Sequence, residues 1–316
     1  MKRSLVKMVI SLLACGTGML HAQDFPSRPV TLYAPWTAGG PTDLALRALA
    51  EATFKPLGQR VLIENKPGAG GAMGATAVAP LRPDGYTLTQ LPLGVFRLPY
   101  MVKTSFDPIK DITWIINIAG YEFATNVRSD SPWKTWDDLV AYAKANPGKI
   151  SYGHPGVGTS PHLVSEDLGN RLGMQWVHIP FKGSAEVITA LRSGQLQAIA
   201  TSPPWALVRS GEIRPLIMWG PERSPKAPNV PTLKERYGII ANSPWGVGGP
   251  TGMDPKVIKV LHDAFRKAMD DPTLHKVLDS VNMEVYYMAG DAYQQWARNT
   301  LLEEKKNVER LGLTQN

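Results

Sequence analysis

The chain has a single cysteine, Cys15, and it stands in an N-terminal stretch that reads as a removable leader. The mature protein would then hold no disulfide, no thiolate nucleophile and no cysteine-ligated metal. A cysteine-free domain still suits an oxidising compartment, which permits disulfides without requiring them. Charged residues are sparse at 19%. No Lys/Arg stripe with interleaved aromatics occurs, which argues against nucleic acid as a partner. No apolar run reaches the roughly 20 residues of a membrane-spanning helix. The sequence also lacks a P-loop, an H-E-x-x-H string and a G-x-S-x-G elbow. No cofactor, metal site or catalytic residue is expected on these grounds.

What is present begins with the leader. Lys2, Arg3 and Lys7 precede an apolar run from Met8 to Ala14, and smaller residues follow into "MLHAQDF". That order is a secretory signal, with residues 1–22 removed after Ala22 and the mature chain delivered to the periplasm. A rival reading is lipoprotein processing at Cys15, although "LLAC" is a loose match and the segment before it is short. The leader carries three positive charges and no negative one, so the formal +7 becomes +4 without it. A mild excess of that size helps attract small anions, and its plainest meaning is a soluble surface.

Strand and helix patterns then alternate. "PVTLYAP" (29–35) reads as a buried strand, and apolar spacing at Leu44, Leu46, Leu49, Ala50 and Phe54 predicts a helix ending near Gly58. "RVLIENK" (60–66) and "GYTLTQL" (85–91) read as strands, with a small-residue helix from about Gly71 between them. This rhythm predicts a mixed, mostly parallel sheet with crossover helices. A second lobe repeats it. Thr135 caps a helix that stops at Pro147-Gly148, and "KISYGHP" (149–155) is a strand. "PHLVSEDLGNRLG" (161–173) is a helix, "QWVHIPFKG" (175–183) a strand, and Ser184 caps another helix. "LQAIATS" (196–202) and "EIRPLIMWG" (212–220) are strands. "SPWGVGGP" (243–250) reads as a strand re-entering the first lobe, followed by a helix capped by Asp254 with Pro255 in its first turn. "DAYQQWARNTLLEEKKNVERLG" (291–312) closes the chain as a helix. Crossings near 120–126 and 241–245 divide it into a discontinuous first lobe, 23–121 with 245–316, and a second lobe, 122–244. The fold class is α/β with a cleft between two lobes, a size that suits the chain better than one core.

Two loops carry the chemistry. In "APWTAGGPTD" (34–43) a buried strand gives way to a glycine pair and a helix start, which puts free backbone N–H groups at a sheet edge. The plainer reading is an ordinary strand–helix loop with Thr42 or Asp43 as cap. "GHPGVGTSPHL" (153–163) has the same logic, with Gly158, Thr159 and Ser160 as donors and His162 in the first turn. Their placement in different lobes favours a small anion held at both ends. "PGAGGAMG" (67–74) lacks dinucleotide-loop spacing and reads as close helix packing. Arg97 reads equally as a bidentate carboxylate partner or a surface arginine, and Lys182, at a strand end, divides the same way. His154 and His162 stand eight apart with nothing specific to indicate a metal.

The segments "DFPSRPVTLYAPWTAGGPTD", "LGQRVLIENKPGAGGAMGATAVA", "RPDGYTL", "AYAKANPGKISYG", "GVGTSPHL", "VHIPFKGSAEVITALRSGQL" and "RSPKAPNVPTLKE" resemble the Bordetella uptake gene family, the solute-binding subunits of tripartite tricarboxylate transporters. The resemblance implies a two-lobe, type II-like Venus-flytrap fold. It implies a small carboxylate ligand, captured largely by backbone N–H groups, and membrane permease subunits as partners. By motif match it assigns Trp36, Thr37, Ala38, Gly39, Gly40 and Thr42 in one loop, and Gly158, Thr159, Ser160 and His162 in the other. Three positions depart from the family pattern: Ala38 replaces a proline, Phe181 a tyrosine, and Ser202-Pro203 an Asp-Asn pair. Loss of an acid at Ser202 weakens the case for a ligand ammonium group. Arg97 and the tryptophans favour a flat or apolar dicarboxylate, such as a benzene dicarboxylate. Two further readings stand beside transport by a monomer: a ligand-presenting partner of a membrane kinase, and a periplasmic hydrolase or isomerase. The last would need a nucleophile–base pair, and Ser160 with His162 is poorly spaced for one.

Overall fold

The computed structural model describes residues 25–241 and 243–314. The expected leader and Cys15 lie outside the described residues. The chain begins with β1 (Val30–Ala34), α1 (Pro41–Leu57) and β2 (Val61–Asn65). A single turn of 3-10 helix, Ala69–Gly71, then leads into α2 (Met73–Val78), β3 (Thr87–Leu91), α3 (Gly94–Met101) and β4 (Ile112–Tyr121). It then builds β5 (Ala124–Arg128), α4 (Trp136–Ala145), β6 (Ser151–His154), α5 (Ser160–Leu172), β7 (Val177–Pro180) and α6 (Ser184–Arg192). The same stretch continues with β8 (Ala198–Thr201), α7 (Trp205–Arg209), β9 (Ile213–Met218) and α8 (Leu233–Tyr237). It ends with β10 (Ser243–Pro250), α9 (Pro255–Ala268), α10 (Pro272–Ser280), β11 (Met283–Ala289) and α11 (Gly290–Arg310).

These elements form two sheets, ordered β11-β4-β10-β3-β1-β2 and β7-β6-β8-β5-β9. Each is mixed, with less parallel pairing than the strand–helix rhythm suggests. β1 runs parallel to β2 and β3, and β6 parallel to β7 and β8. The other pairings are antiparallel. The reason is topological: β4 leaves the first sheet toward the second, and β10 returns beside it in the opposite direction. β10 is buried along its whole length. Its glycines let the neighbours close in, since a Cβ on Gly246 would lie 2.1 Å from Ile116 O.

Local chemistry sets the helix ends. Thr135 caps α4 in a reciprocal capping box with Asp138, and Asp254 caps α9 by accepting from Lys256 N. The expected cap at Ser184 falls one residue earlier: Gly183 is the cap of α6, and no side chain supplies the bond. α1 likewise starts behind Gly40 with Pro41 at its first position and no side-chain cap. Both helices therefore begin with N–H groups that no capping side chain satisfies.

Aromatic contacts run through the crossings. Tyr121 stacks on Phe123 at 5.7 Å, and Phe123 meets Trp219 edge-on at 6.0 Å. A second contact between the lobes lies at the chain's end, where Met101, Leu163 and Val308 bring α3, α5 and α11 together in one apolar cluster. Arg310 pairs with Asp167 beside it. No helix among the described residues is long and apolar enough to cross a membrane.

Candidate functional site

The ends of β1 and β2 lie side by side, with Ala34 opposite Asn65. From there Asn65 Nδ2 donates to Trp36 O at 3.0 Å and to Asp43 Oδ1 at 2.9 Å. Asp43 Oδ2 in turn accepts from Gly39 N at 3.0 Å and Arg47 Nε at 2.9 Å. The loop between β1 and α1 is thus stapled at three points. Burial pushes the Asp43 carboxyl up, but the bonds from Arg47, Gly39 N–H and Asn65 outweigh it and hold the group below its usual range.

Behind this loop runs a polar chain from three strand ends. Trp36 Nε1 donates to Gln90 Oε1 at 3.3 Å, and Gln90 Nε2 donates to the Tyr121 hydroxyl at 3.1 Å. Tyr121 Oη and Thr42 Oγ1 lie 2.7 Å apart. Burial raises the Tyr121 phenol far above its ordinary value, so it stays neutral. With its lone pair facing Gln90, its proton is available to Thr42, whose own hydroxyl proton can then point into the cleft.

The facing wall comes from the second lobe. Thr159 caps α5, accepting from His162 N at 3.3 Å while donating to Gly156 O at 2.7 Å. Ser184 opens α6, and its hydroxyl accepts from Thr201 Oγ1 at 2.7 Å. The lobes meet here. A Cβ on Gly40 would lie 3.8 Å from Ala185 N, one on Gly183 only 2.3 Å from Thr37 Oγ1, and one on Gly70 2.3 Å from Val157 O. The helix starts of α1 and α6 therefore face each other across glycine-wide contacts.

Between them is a narrow cleft lined by residues of both lobes. Thr42, Tyr121, Thr159, Ser160, Ser184, Ser202 and Ser243 line it, and Trp36, Leu93 and Phe123 supply apolar surface. No acidic or basic side chain is among its lining residues. An anion there would meet N–H dipoles and hydroxyls, and a cation would meet no counter-charge.

Of the residues singled out in the sequence, Trp36, Gly40, Thr42, Thr159, Ser160 and Ser202 line this cleft. The others do not. Ala38 and Gly39 are exposed, and the Gly39 N–H is engaged by Asp43. Thr37 packs against Gly183 with its hydroxyl buried and unpaired. Gly158 N donates to His162 Nδ1 at 3.3 Å, turning both away from the cleft. Lys182 is exposed. Arg97 is buried at 5% exposure and gripped by Glu304, so it is neither a free carboxylate clamp nor a surface arginine. Sequence reasoning missed Tyr121, Phe123 and Ser243, which sit at the crossings. It also missed Gly70, in the "PGAGGAMG" stretch. Ser160 and His162 form no nucleophile–base pair, because Ser160 Oγ accepts from Arg97 Nη1 at 3.0 Å and the His162 ring faces Gly158.

Burial, reinforced by neighbouring histidines, lowers His154 to about 2 and His162 to about 4, so both rings are neutral at physiological pH.

Two mixed sheets flanked by helices, with a cleft free of charged side chains between facing helix starts, define a periplasmic-binding-protein fold. The family described as "Tripartite tricarboxylate transporter family receptor" matches residues 45–313, and the chain belongs to it. A curated relative from Cupriavidus necator, the "UPF0065 protein in gbd 5'region", is 48% identical over 303 residues, covering 95% of this chain and 93% of the relative. The solved structure of the periplasmic binding protein BugD superposes with a TM-score of 0.88 at 28% identity, over 92% of this chain and 100% of that one. The structure of R. palustris Rpa4515 with adipate gives 0.85 at 27% identity, over 92% and 99%.

Proposed function

We propose that this protein is a periplasmic solute-binding receptor that closes its two lobes on a dicarboxylate with an apolar body and delivers it to membrane permease subunits. The observation that carries this reading is the charge-free cleft between uncapped helix starts. Gly40 and Gly183 leave the first N–H groups of α1 and α6 without side-chain caps on opposite walls. A linear dianion can place one carboxylate against each lobe, so binding energy is released only when the lobes are together. Trp36, Leu93 and Phe123 suit a methylene or aromatic spine between the charged ends. The adipate complex of a structural neighbour supports a ligand of this class. In this reading the chain works as a monomer, hinging at 121–124 and 241–243, with lobes 23–121 plus 243–316 and 122–242, so that β10 lies whole in the first lobe. The residues in contact with ligand are Trp36, Gly40, Thr42, Thr159, Ser160, Ser184 and Ser202. The protein is not an enzyme.

Isothermal titration with succinate, glutarate, adipate and terephthalate tests this directly. Saturable one-to-one binding of at least one of the four, recovered chemically unchanged, is expected. Failure of all four to bind, or turnover of any, would overturn the reading.

A further inference from the structure

We propose that His154, His162 and His178 form a binding site for a divalent transition metal ion of the imidazole-preferring class, with zinc as reference ion. The three come from different places in the sequence. His154 ends β6, His162 lies in the first turn of α5, and His178 is in β7. Strand register brings two of them to one face. His178 stands opposite Tyr152, and His154 is two residues further along the same strand.

The arrangement of the rings is the main argument. Their centroids are 4.6 Å (His154–His162), 4.8 Å (His162–His178) and 5.4 Å (His154–His178) apart. The ring planes are inclined to one another by 25° to 45°, yet the centroids do not line up as a column. These form a near-equilateral triangle. Imidazoles bound to one tetrahedral ion at roughly 2.0–2.1 Å stand with centroids about 5 Å apart, so the triangle has the required size. One ring nitrogen from each histidine lies within 4.8 Å of the others, and His154 Nε2 is 3.2 Å from His178 Nδ1. Ligand nitrogens around tetrahedral zinc are separated by roughly 3.3 Å. One pair is thus already at ligand spacing.

Protonation also fits. His154 Nδ1 lies 2.9 Å from Gly156 O and can donate to it, which leaves the Nε2 lone pair to accept from His178 Nδ1 at 3.2 Å, a bond that an ion between the two rings would replace. A ring nitrogen tied to a backbone carbonyl is the usual support for a metal-ligating histidine. His162 accepts from Gly158 N–H at 3.3 Å, a long bond. Coordination through Nε2 moves its proton to Nδ1, so the buried Gly158 N–H must turn to another acceptor. His154 and His162 are almost fully buried and fixed, whereas His178 is exposed on the edge strand β7. Its ring already lies against the other two, and water can supply the fourth ligand. None of the three lines the cleft, so this inference does not depend on the ligand read for it.

The test uses untagged, chelator-treated protein titrated with Co2+ and followed by visible ligand-field absorption, then displaced with Zn2+. Expected are one-to-one binding with an intense tetrahedral-type band, and affinity at least about 10-fold lower in His178→Ala. Because His178 is exposed, the variant should fold, and an unchanged thermal midpoint without metal verifies that. Absence of saturable binding, or equal binding by His178→Ala, would overturn the proposal.

Discussion

Arg97 and Glu304 form a buried bidentate ion pair, Nε to Oε2 at 2.6 Å and Nη2 to Oε1 at 2.9 Å. The third guanidinium nitrogen, Nη1, reaches into the other lobe, donating to Gly158 O at 3.2 Å and Ser160 Oγ at 3.0 Å. The pair therefore ties α3 and α11 to the start of α5. Removing one partner leaves an uncompensated buried charge, which costs about 3–5 kcal/mol. Glu304→Ala should lose stability of that order in denaturant unfolding. Arg97→Met with Glu304→Leu should lose clearly less than the two single changes together. A loss below about 1 kcal/mol for Glu304→Ala would mean the pair is dispensable.

Gly183 has φ 173, extended backbone open to any residue. Its constraint comes from the other lobe, where Thr37 Oγ1 would meet an added Cβ at 2.3 Å. Gly183→Ala should therefore leave the stability of the ligand-free protein unchanged and weaken dicarboxylate binding by about 10-fold or more, through a strained closed state. Adding Thr37→Ala should restore most of the affinity. Undiminished binding by Gly183→Ala would show that the lobes do not close to this contact.

The Asp43 carboxylate holds the first loop, and its folded pKa lies below the ordinary 3.8. A depressed carboxylate contributes stability that is complete above its unfolded pKa and disappears as pH falls through the folded one. Wild type should therefore lose stability steeply below pH 3.8, and Asp43→Asn should flatten that part of the profile. At neutral pH the substitution should cost about 1.5–3 kcal/mol, as expected for a charged hydrogen-bond acceptor. Parallel acid limbs for the two proteins would contradict the assignment.

The fold was legible where local signals are strong. Thr135 and Asp254 announce their helices, and the alternating burial of Val30–Ala34 matches the pattern of a strand with one face on the core. β4 carries no such alternation, because α9 and α11 pack against it and nearly all of its residues are buried. The same limit applied to the site. Glycine loops at strand ends reveal Gly40 and Thr159, whereas Tyr121 and Ser243 reach the cleft only because the chain crosses between sheets there. Arg97 was the instructive miss. Its chemistry suits a carboxylate, and it does bind one, but that carboxylate belongs to Glu304, more than 200 residues away.

Ser202 is buried at the end of β8 and lines the cleft. An acid there would face the incoming carboxylate, and like charges in such a site cost several kcal/mol. Ser202→Asp should reduce dicarboxylate affinity by about 100-fold or more while leaving overall folding intact by circular dichroism. Retained affinity would place the ligand elsewhere.

Under the proposed function, two facing helix starts with no charged side chain between them select a dianion without an ammonium group. Glutarate and glutamate have the same carbon skeleton and differ in that group, so their affinities by isothermal titration under identical conditions test the claim most directly. Glutarate should bind at least about 100-fold more tightly, since the glutamate ammonium would be buried without a partner. Equal affinity, or preference for glutamate, would contradict the account.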